Sequence, residues 1–449
     1  MNLIDEFLLF YAKEFDFYHE AAHQAAMVCE SILQKNGIRA NVTYRAKQLD
    51  SLREKLIRRN EIKNYDTKED ILADLVDLSG VRIAVYFPSD KEEIGRLICQ
   101  EFITIKRRTF PNMDKERQDE MFARKNYSGY DAVHYRVRMD EARLEDSYKK
   151  YSEALIEIQV ASFLMHAWSE VEHELVYKPR IGALNRDEID ALDELNGLVL
   201  DGEVIMEKLQ ATFRNRLKKI DHQFNNHFEL AALIRDHLGE DVMRVHTMGR
   251  VDVLCRFLSH VGIDNPGGIS KYMQNLETHL AYNSNLTVAD CFAEMVLRDH
   301  SSSWLEYAMA RFEARMHNPY KWEDKPGRLA FFKNKTVREF FNLWHSFDAV
   351  IRRTCRQNGL TNECSASVGK ILLRMLNNHG ITLDDELFSN LIAASAFRKR
   401  LLFTYKELPD LSEAEMYLEL LKKTIREVRS LFPAEYQNIF EEEITIQLL

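Results

Sequence analysis

The sequence predicts an α+β domain, a mixed β-sheet of about five strands flanked by helices, followed by a mainly α-helical region. Three observations carry this. Between residues 38 and 180, short runs rich in Val, Ile and Tyr recur between helical stretches, as strands do when interleaved with helices. Beyond Ile181 the apolar residues recur at helical spacing only. Chain breakers are scarce, with 16 Gly and 8 Pro in 449 residues, which favours helix.

The elements follow in order. Ile4, Phe7, Leu8, Tyr11, Phe15 and Tyr18 share a helical face, so residues 1–36 read as a helix packing on the domain, with Gly37 as its stop. Residues 38–44 (IRANVTY) form a strand leading into a basic helix, Arg45–Asn60. Asp66-Thr67 caps a helix running to about Val76. Val81–Phe87 is a buried-type strand, Asp90–Phe102 a helix and Ile103–Arg108 a strand. Ala132–Met139 alternates cleanly, and Ala154–Val160 is the last strand. Glu188–Ile220 is one long heptad-like stretch. Later helices break at Asp264–Gly268, Asn318-Pro319 and Lys325–Gly327. The expected division is 37–224 for the α+β domain and 225–449 for the helical region, which a break near 318–327 would split into two modules.

Composition excludes some roles. The formal net charge of -10 speaks against a surface coated for nucleic acid, though a local basic patch stays open. Six scattered cysteines without CxxC spacing read as reduced thiols in a cytosolic protein. The N-terminus lacks the basic start and small-residue cleavage site of a signal peptide, and no apolar run reaches membrane-spanning length. A cytoplasmic protein is expected, without a membrane partner.

Four clusters in the α+β domain carry chemistry. The last strand, LIEIQV, projects Glu157 and Gln159 from one face. A carboxylate and an amide on a half-buried strand need a partner, a metal or a substrate. The helix after it holds His166, Trp168, Glu170, His173 and Tyr177, with Glu170, His173 and Tyr177 expected on one face. On the basic helix, Lys47, Ser51 and Lys55 stand at i, i+4 and i+8 with Arg45 at the start, a face suited to polyphosphate; a solvated stripe has the same spacing. In DLSGVR, Asp77 at a strand edge can hold Mg²⁺ or cap a turn, and Gly80 permits close backbone approach. In SGYDAVHY, Gly129 frees a loop, Tyr130 offers a stacking face and His134 follows on the strand.

The order RxKxxxSxxxK, DLxGVR, GYxxxHY, EIQVxxxxxHAWxExEHxxxYK resembles the synthetase domain of the RelA/SpoT family, small alarmone synthetases included, over about residues 20–220. The resemblance implies a nucleotidyltransferase-like α+β fold. It implies transfer of the β,γ-pyrophosphoryl group of ATP to the ribose 3′-hydroxyl of GDP or GTP, giving ppGpp or pppGpp and AMP. Asp77 and Glu157 would hold Mg²⁺, and Glu157 would help activate the hydroxyl. Arg45, Lys47, Ser51 and Lys55 would bind ATP phosphates. Tyr130 would stack on the acceptor base, with His134, Gln159 and Lys125 lining the acceptor pocket.

The sequence departs from that pattern on the acceptor side. Ala161-Ser162 stands where Arg-Thr is usual, Asn126 where a Lys is usual (Lys125 is one position earlier), and Asp131 where a longer polar or basic residue is common. A less cationic acceptor site leaves tRNA as an alternative substrate, with Arg58-Arg59, Lys106–Arg108 and Arg214–Lys219 as basic candidates. A non-catalytic nucleotide-binding module is a third reading. Only about 40 residues precede Arg45, so no hydrolase domain of the bifunctional relatives is expected. The helical region carries no chemical motif. Its expected roles are regulation, restraint of a toxic domain, or homo-oligomer formation.

Overall fold

The computed structural model describes residues 2–111, 129–177, 185–217, 222–283, 285–313, 320, 328–360, 367–403, 409–432, 436–440 and 444. The chain divides into two compact units: residues 1–34, 38–216 and 316–321, and residues 35–37, 217–315 and 322–449.

The first unit opens with α1 (Leu3–Lys35) and closes with α6 (Arg186–Leu217). Between them lie β1 (Ala40–Ala46), α2 (Leu49–Lys63), α3 (Lys68–Asp74), β2 (Ser79–Val85), α4 (Asp90–Glu101), β3 (Phe102–Phe110), β4 (Ala132–Met139), β5 (Ile156–Ser162) and α5 (Phe163–Glu172). The sheet order is β1-β2-β5-β4-β3. β2 and β5 are parallel and every other pair is antiparallel. The expected five-stranded mixed sheet is therefore present.

The register decides which side chains share a face. Thr43 pairs with Arg82, Arg82 with Gln159 and Gln159 with His134; Arg45 pairs with Gly80, Gly80 with Glu157 and Glu157 with Arg136. Directly paired residues point the same way, so these polar groups occupy one face. The other face is apolar: Val81, Ile83, Ile158, Val160, Tyr135 and Val137 pack with Ala25, Cys29 and Ile32 of α1 and Ile94, Leu97 and Ile98 of α4. α4 comes so close that a Cβ on Gly95 would stand 2.2 Å from the Tyr135 hydroxyl. The first turns of α1 form a second core, where Phe7, Leu8 and Tyr11 meet Leu52 and Leu56 of α2 and Ile71 of α3.

Several boundaries differ from the sequence reading. Arg45 and Lys47 are not on a basic helix. The ladder to β2 holds the chain extended through Ala46, the Lys47 N–H bonds the Leu78 carbonyl, and α2 starts only after Gln48. Lys47, Ser51 and Lys55 therefore do not form one helical stripe. β5 runs on through Ala161 and Ser162, because pairing with Ala84 and Val85 continues, and the Ser162 hydroxyl then caps α5 by accepting from the Met165 N–H. α5 ends at Glu172, and His173–Tyr177 make a π-helical turn, so the α-helical spacing expected from Glu170 through His173 is not continued to Tyr177. The expected break at Asp264–Gly268 falls between the helix that ends at His260 and the next helix, which Asn265 caps and Pro266 opens. The breaks expected at 318–319 and 325–327 lie outside the described residues, as do Lys125, Asn126 and Ser128.

The second unit is helical throughout its described residues: α7 (His227–Val245), α8 (Val251–His260), α9 (Pro266–Met273), α10 (Leu276–Tyr282), α11 (Val288–Asp299), α12 (Trp304–Glu313), α13 (Arg328–Lys333), α14 (Lys335–Gln357), α15 (Val368–Asn378), α16 (Asp385–Phe403) and α17 (Leu411–Leu431). One core joins them, with Trp304 stacked on Phe341 at 4.5 Å and Phe397 on Tyr417 at 4.2 Å. Trp304, Trp344, Phe341 and Phe397 are packing residues. No helix in the described residues is long and apolar enough to cross a membrane.

Candidate active site

The polar face of the sheet opens into a cleft of about 340 Å³, lined by Arg45, Lys47, Ser51, Asp77, Arg82, Tyr130, His134, Glu157, Gln159, Glu170 and His173 among others. Strand ends and short connections deliver these groups from distant parts of the chain.

One half of the cleft is cationic around a single carboxylate. Lys47 Nζ and Lys55 Nζ both donate to Asp77 Oδ2, at 2.8 and 2.7 Å. Lys55 reaches it from α2 and Lys47 from the end of β1, so tertiary placement unites what the helical spacing does not. Burial by itself would raise the Asp77 pKa, but the two ammonium groups outweigh it and hold the carboxyl well below the usual carboxylate range. Burial lowers the Lys55 pKa against the pull of Asp77. The cradle is braced from α1, where the Tyr11 hydroxyl donates to the Lys47 carbonyl at 2.8 Å. Ser79 ties the start of β2 to the Tyr18 carbonyl of α1, also at 2.8 Å.

The other half belongs to β4, β5 and the loop before β4. Gln159 Nε2 donates to Glu157 Oε2 at 3.0 Å, and His134 Nδ1 lies 3.7 Å from Glu157 Oε1. Burial raises the Glu157 pKa, yet His134 and Gln159 reverse the sign and leave it lowered. Glu157 is therefore a carboxylate near neutral pH. His134 Nε2 meets the Tyr130 hydroxyl at 3.3 Å, and the Tyr130 ring stands edge-on to His134 with centroids 5.8 Å apart.

The cleft brings together Arg45, Lys47, Ser51, Asp77, Tyr130, His134, Glu157 and Gln159. Lys55 joins through Asp77. Three contributors had no role assigned from the sequence, although Arg82 stands in the DLSGVR motif. Arg82 Nε donates to Gln159 Oε1 at 3.4 Å, and its guanidinium pairs with Glu170 across to α5. Its signal was the register: Arg82 lies directly beside Gln159. Lys91 pairs with Asp131 at 2.7 Å. Asn196 on α6 clamps Gly129 twice, accepting from its N–H at 3.1 Å and donating to its carbonyl at 3.3 Å. Gly129 has φ of +77°, which a glycine adopts without strain. Nothing local in the sequence connects Asn196 to that loop.

A divalent cation fits the carboxylates. Asp77 Oδ1 is buried without a hydrogen-bond partner among the described residues, a costly state that a hard cation would relieve. Asp77 and Glu157 line the same cleft. Among the described residues no group of three or more His, Cys, Asp or Glu side chains forms a metal cage. Two carboxylates with the remaining positions left to phosphates and water is the Mg²⁺ habit at nucleotide sites.

Residues 44–181 match the family model described as "Region found in RelA / SpoT proteins". Comparison with curated proteins finds no match. Solved structures with similarity include a GTP pyrophosphokinase family protein from Streptococcus pneumoniae, at 22% identity and TM-score 0.36, covering 50% of this chain and 98% of that one. Small alarmone synthetase 1 from Bacillus subtilis matches at 19% identity and TM-score 0.35, over 46% of this chain and 98% of that chain. The same enzyme bound to its product pppGpp matches at 21% identity and TM-score 0.35, over 45% and 97%. The matched region takes in β2 to β5 and the cleft residues from Arg45 to His173 named above.

Proposed function

We propose that the RelA/SpoT domain transfers pyrophosphate from ATP to the ribose 3′-hydroxyl of GDP or GTP, releasing AMP. The carrying observation is the two-sided cleft: Lys47 and Lys55 converge on Asp77 at one end, and Glu157, His134, Gln159 and Tyr130 cluster at the other.

The donor half suits a tetra-anionic phosphate chain. Lys47 and Lys55 neutralise Asp77 when alone, and phosphate oxygens would compete for the same ammonium groups. Arg45 and Ser51 extend the cradle along the cleft wall. Asp77 and Glu157 would hold Mg²⁺, which supplies charge neutralisation on the transferring phosphates. In the acceptor half, the Glu157 carboxylate is oriented by Gln159 and His134. It accepts the proton of the 3′-hydroxyl as that oxygen bonds the β-phosphorus and the α–β bridging P–O bond breaks toward AMP. Tyr130 offers the ring against which a base packs, and Asn196 and Lys91 hold its loop from behind. Catalysis here is mainly placement and electrostatics.

The test is purified full-length protein with Mg²⁺ and γ-³²P-ATP, offered GDP, GTP, ADP or bulk tRNA in parallel. Label in ppGpp or pppGpp, lost in Asp77→Ala and Glu157→Ala, is the expected result. Label on tRNA or ADP alone would replace the acceptor while keeping the donor chemistry. Tight ATP binding with no transfer to any acceptor would leave a binding module and overturn the reading.

A further inference from the structure

A strand irregularity beside the cleft places cations that the reaction above does not use. β3 and β4 pair regularly as far as Thr104↔Val137, then resume at Lys106↔Arg136, Arg107↔Tyr135 and Arg108↔His134. Ile105 is the extra residue of a β-bulge. The bulge decides which side chains of β3 face the cleft. Unbroken pairing would set Ile105 beside Arg136 and Arg107 beside His134. The slip of one residue sets Lys106 and Arg108 there instead. Arg107 is turned to the opposite face, over the Tyr135 ring at 5.9 Å.

The register then makes a continuous row across the sheet: Arg45, Gly80, Glu157, Arg136, Lys106. The neighbouring row ends in Gln159, His134 and Arg108. Glu157 thus has the donor cradle of β1 and β2 on one side and a second set of cations on the other. Strands lie about 4.8 Å apart, so Lys106 stands about 10 Å from Glu157, two spacings away. Arg136 is half-buried, and Lys106 and Arg108 are exposed on the edge strand. This surface is open to solvent and continues from His134, which lines the cleft. The strand after Glu157 offers no cation, since Ala161-Ser162 follows EIQV.

We propose, resting on the reaction above, that Arg136, Lys106 and Arg108 bind the 5′-phosphate chain of the acceptor nucleotide. They would make the domain prefer acceptors with a long phosphate chain. In-line transfer puts the donor phosphates and the acceptor ribose on opposite sides of the 3′-oxygen. A ribose whose 3′-hydroxyl meets Glu157 therefore lies on the β4 and β3 side, where its 5′ end reaches Arg136 first and the edge strand next. Arginine grips phosphate with paired N–H donors, and lysine adds a point charge. These are specificity residues: they hold a part of the acceptor that does not react.

The test has two readouts on the full chain. Steady-state kinetics at saturating Mg²⁺ and ATP compare GTP, GDP, GMP and guanosine as acceptors. Equilibrium dialysis of the same four, with a non-hydrolysable ATP analogue present, reads binding without transfer. Affinity should rise from guanosine to GTP. Arg136→Gln and Lys106→Gln should each raise the KM for GTP about tenfold, with kcat, the KM for ATP and the KM for guanosine unchanged. Deleting Ile105 keeps every charge but restores unbroken pairing, and should cost as much if circular dichroism shows the variant folded. Arg107→Gln, on the other face, should change nothing. Guanosine binding as tightly as GTP would overturn the proposal. So would an Arg107→Gln effect equal to that of Arg136→Gln, which would mark general attraction only. Variants that lose transfer to tRNA and keep transfer to GTP would move the row to an RNA backbone. If no guanosine acceptor takes label, the reaction reading fails and dialysis decides this one. Binding graded by phosphate number and flattened in Arg136→Gln upholds it; ungraded or absent binding sinks it.

Discussion

At the scale of the residue, Asp77 is the most constrained group in the cleft. It pairs with two lysines through one oxygen, and among the described residues its other oxygen has no hydrogen-bond partner. Asp77→Asn removes the countercharge from two partly buried ammonium groups. Chemical denaturation without nucleotide should show a loss of about 1–3 kcal/mol, alongside loss of transfer activity. A stability equal to wild type would mean the lysines are solvated independently of Asp77. Glu157→Gln keeps the shape and removes the proton acceptor, so turnover should fall about 10²–10⁴-fold with ATP affinity retained. Equal losses in ATP affinity and turnover would instead assign Glu157 to donor binding.

At the scale of the element, two packings position the site. The Asn196 clamp fixes the Tyr130 loop to α6, and Trp168 Nε1 donates to the Leu192 carbonyl of the same helix at 3.2 Å. Asn196→Ala strands two buried backbone groups, a cost of about 1–3 kcal/mol. Steady-state kinetics should show a KM rise of about 5- to 150-fold for the acceptor, with the KM for ATP unchanged; a change confined to ATP would refute the clamp's role. On the opposite face, Gly95→Ala forces a methyl group into the Tyr135 hydroxyl. Overpacking of this kind costs about 1–3 kcal/mol, readable as a lowered melting temperature. The strands were legible in the sequence because alternation and β-branched runs are local. The start of α2 was not: basic residues at i, i+4 and i+8 fit a helix, and only the β1–β2 ladder shows the chain still extended at Arg45.

At the scale of the whole molecule, two buried histidines and a half-buried one tie stability to pH. Burial pushes His166 down to about 4, and burial with neighbouring arginines takes His279 and His345 to about 3. In the unfolded chain a histidine protonates near pH 6.5. Between those values the unfolded state holds more protons, so the folded state loses stability as pH falls from 6.5 toward 4 and keeps all of it above 6.5. Melts of full-length protein from pH 8 to 4.5 should be flat above about 6.5 and decline below it, with His345→Gln declining less steeply. An unchanged slope in that variant would remove His345 from the account.

The sequence by itself determined the α+β domain, the helical remainder, and the residue types of the cleft: the carboxylate–amide pair on β5, the lysines, the Gly-Tyr loop. These are written in short spacings, and short spacings follow from backbone geometry. Only the tertiary structure decided which of them meet. Lys47 and Lys55 share Asp77 because β1 and β2 pair and α2 packs against α1 and α3. Asn196 reaches Gly129 across 67 positions, and Arg398 reaches Glu294 across 104. Contacts of that span depend on how whole elements pack, and no local pattern encodes them.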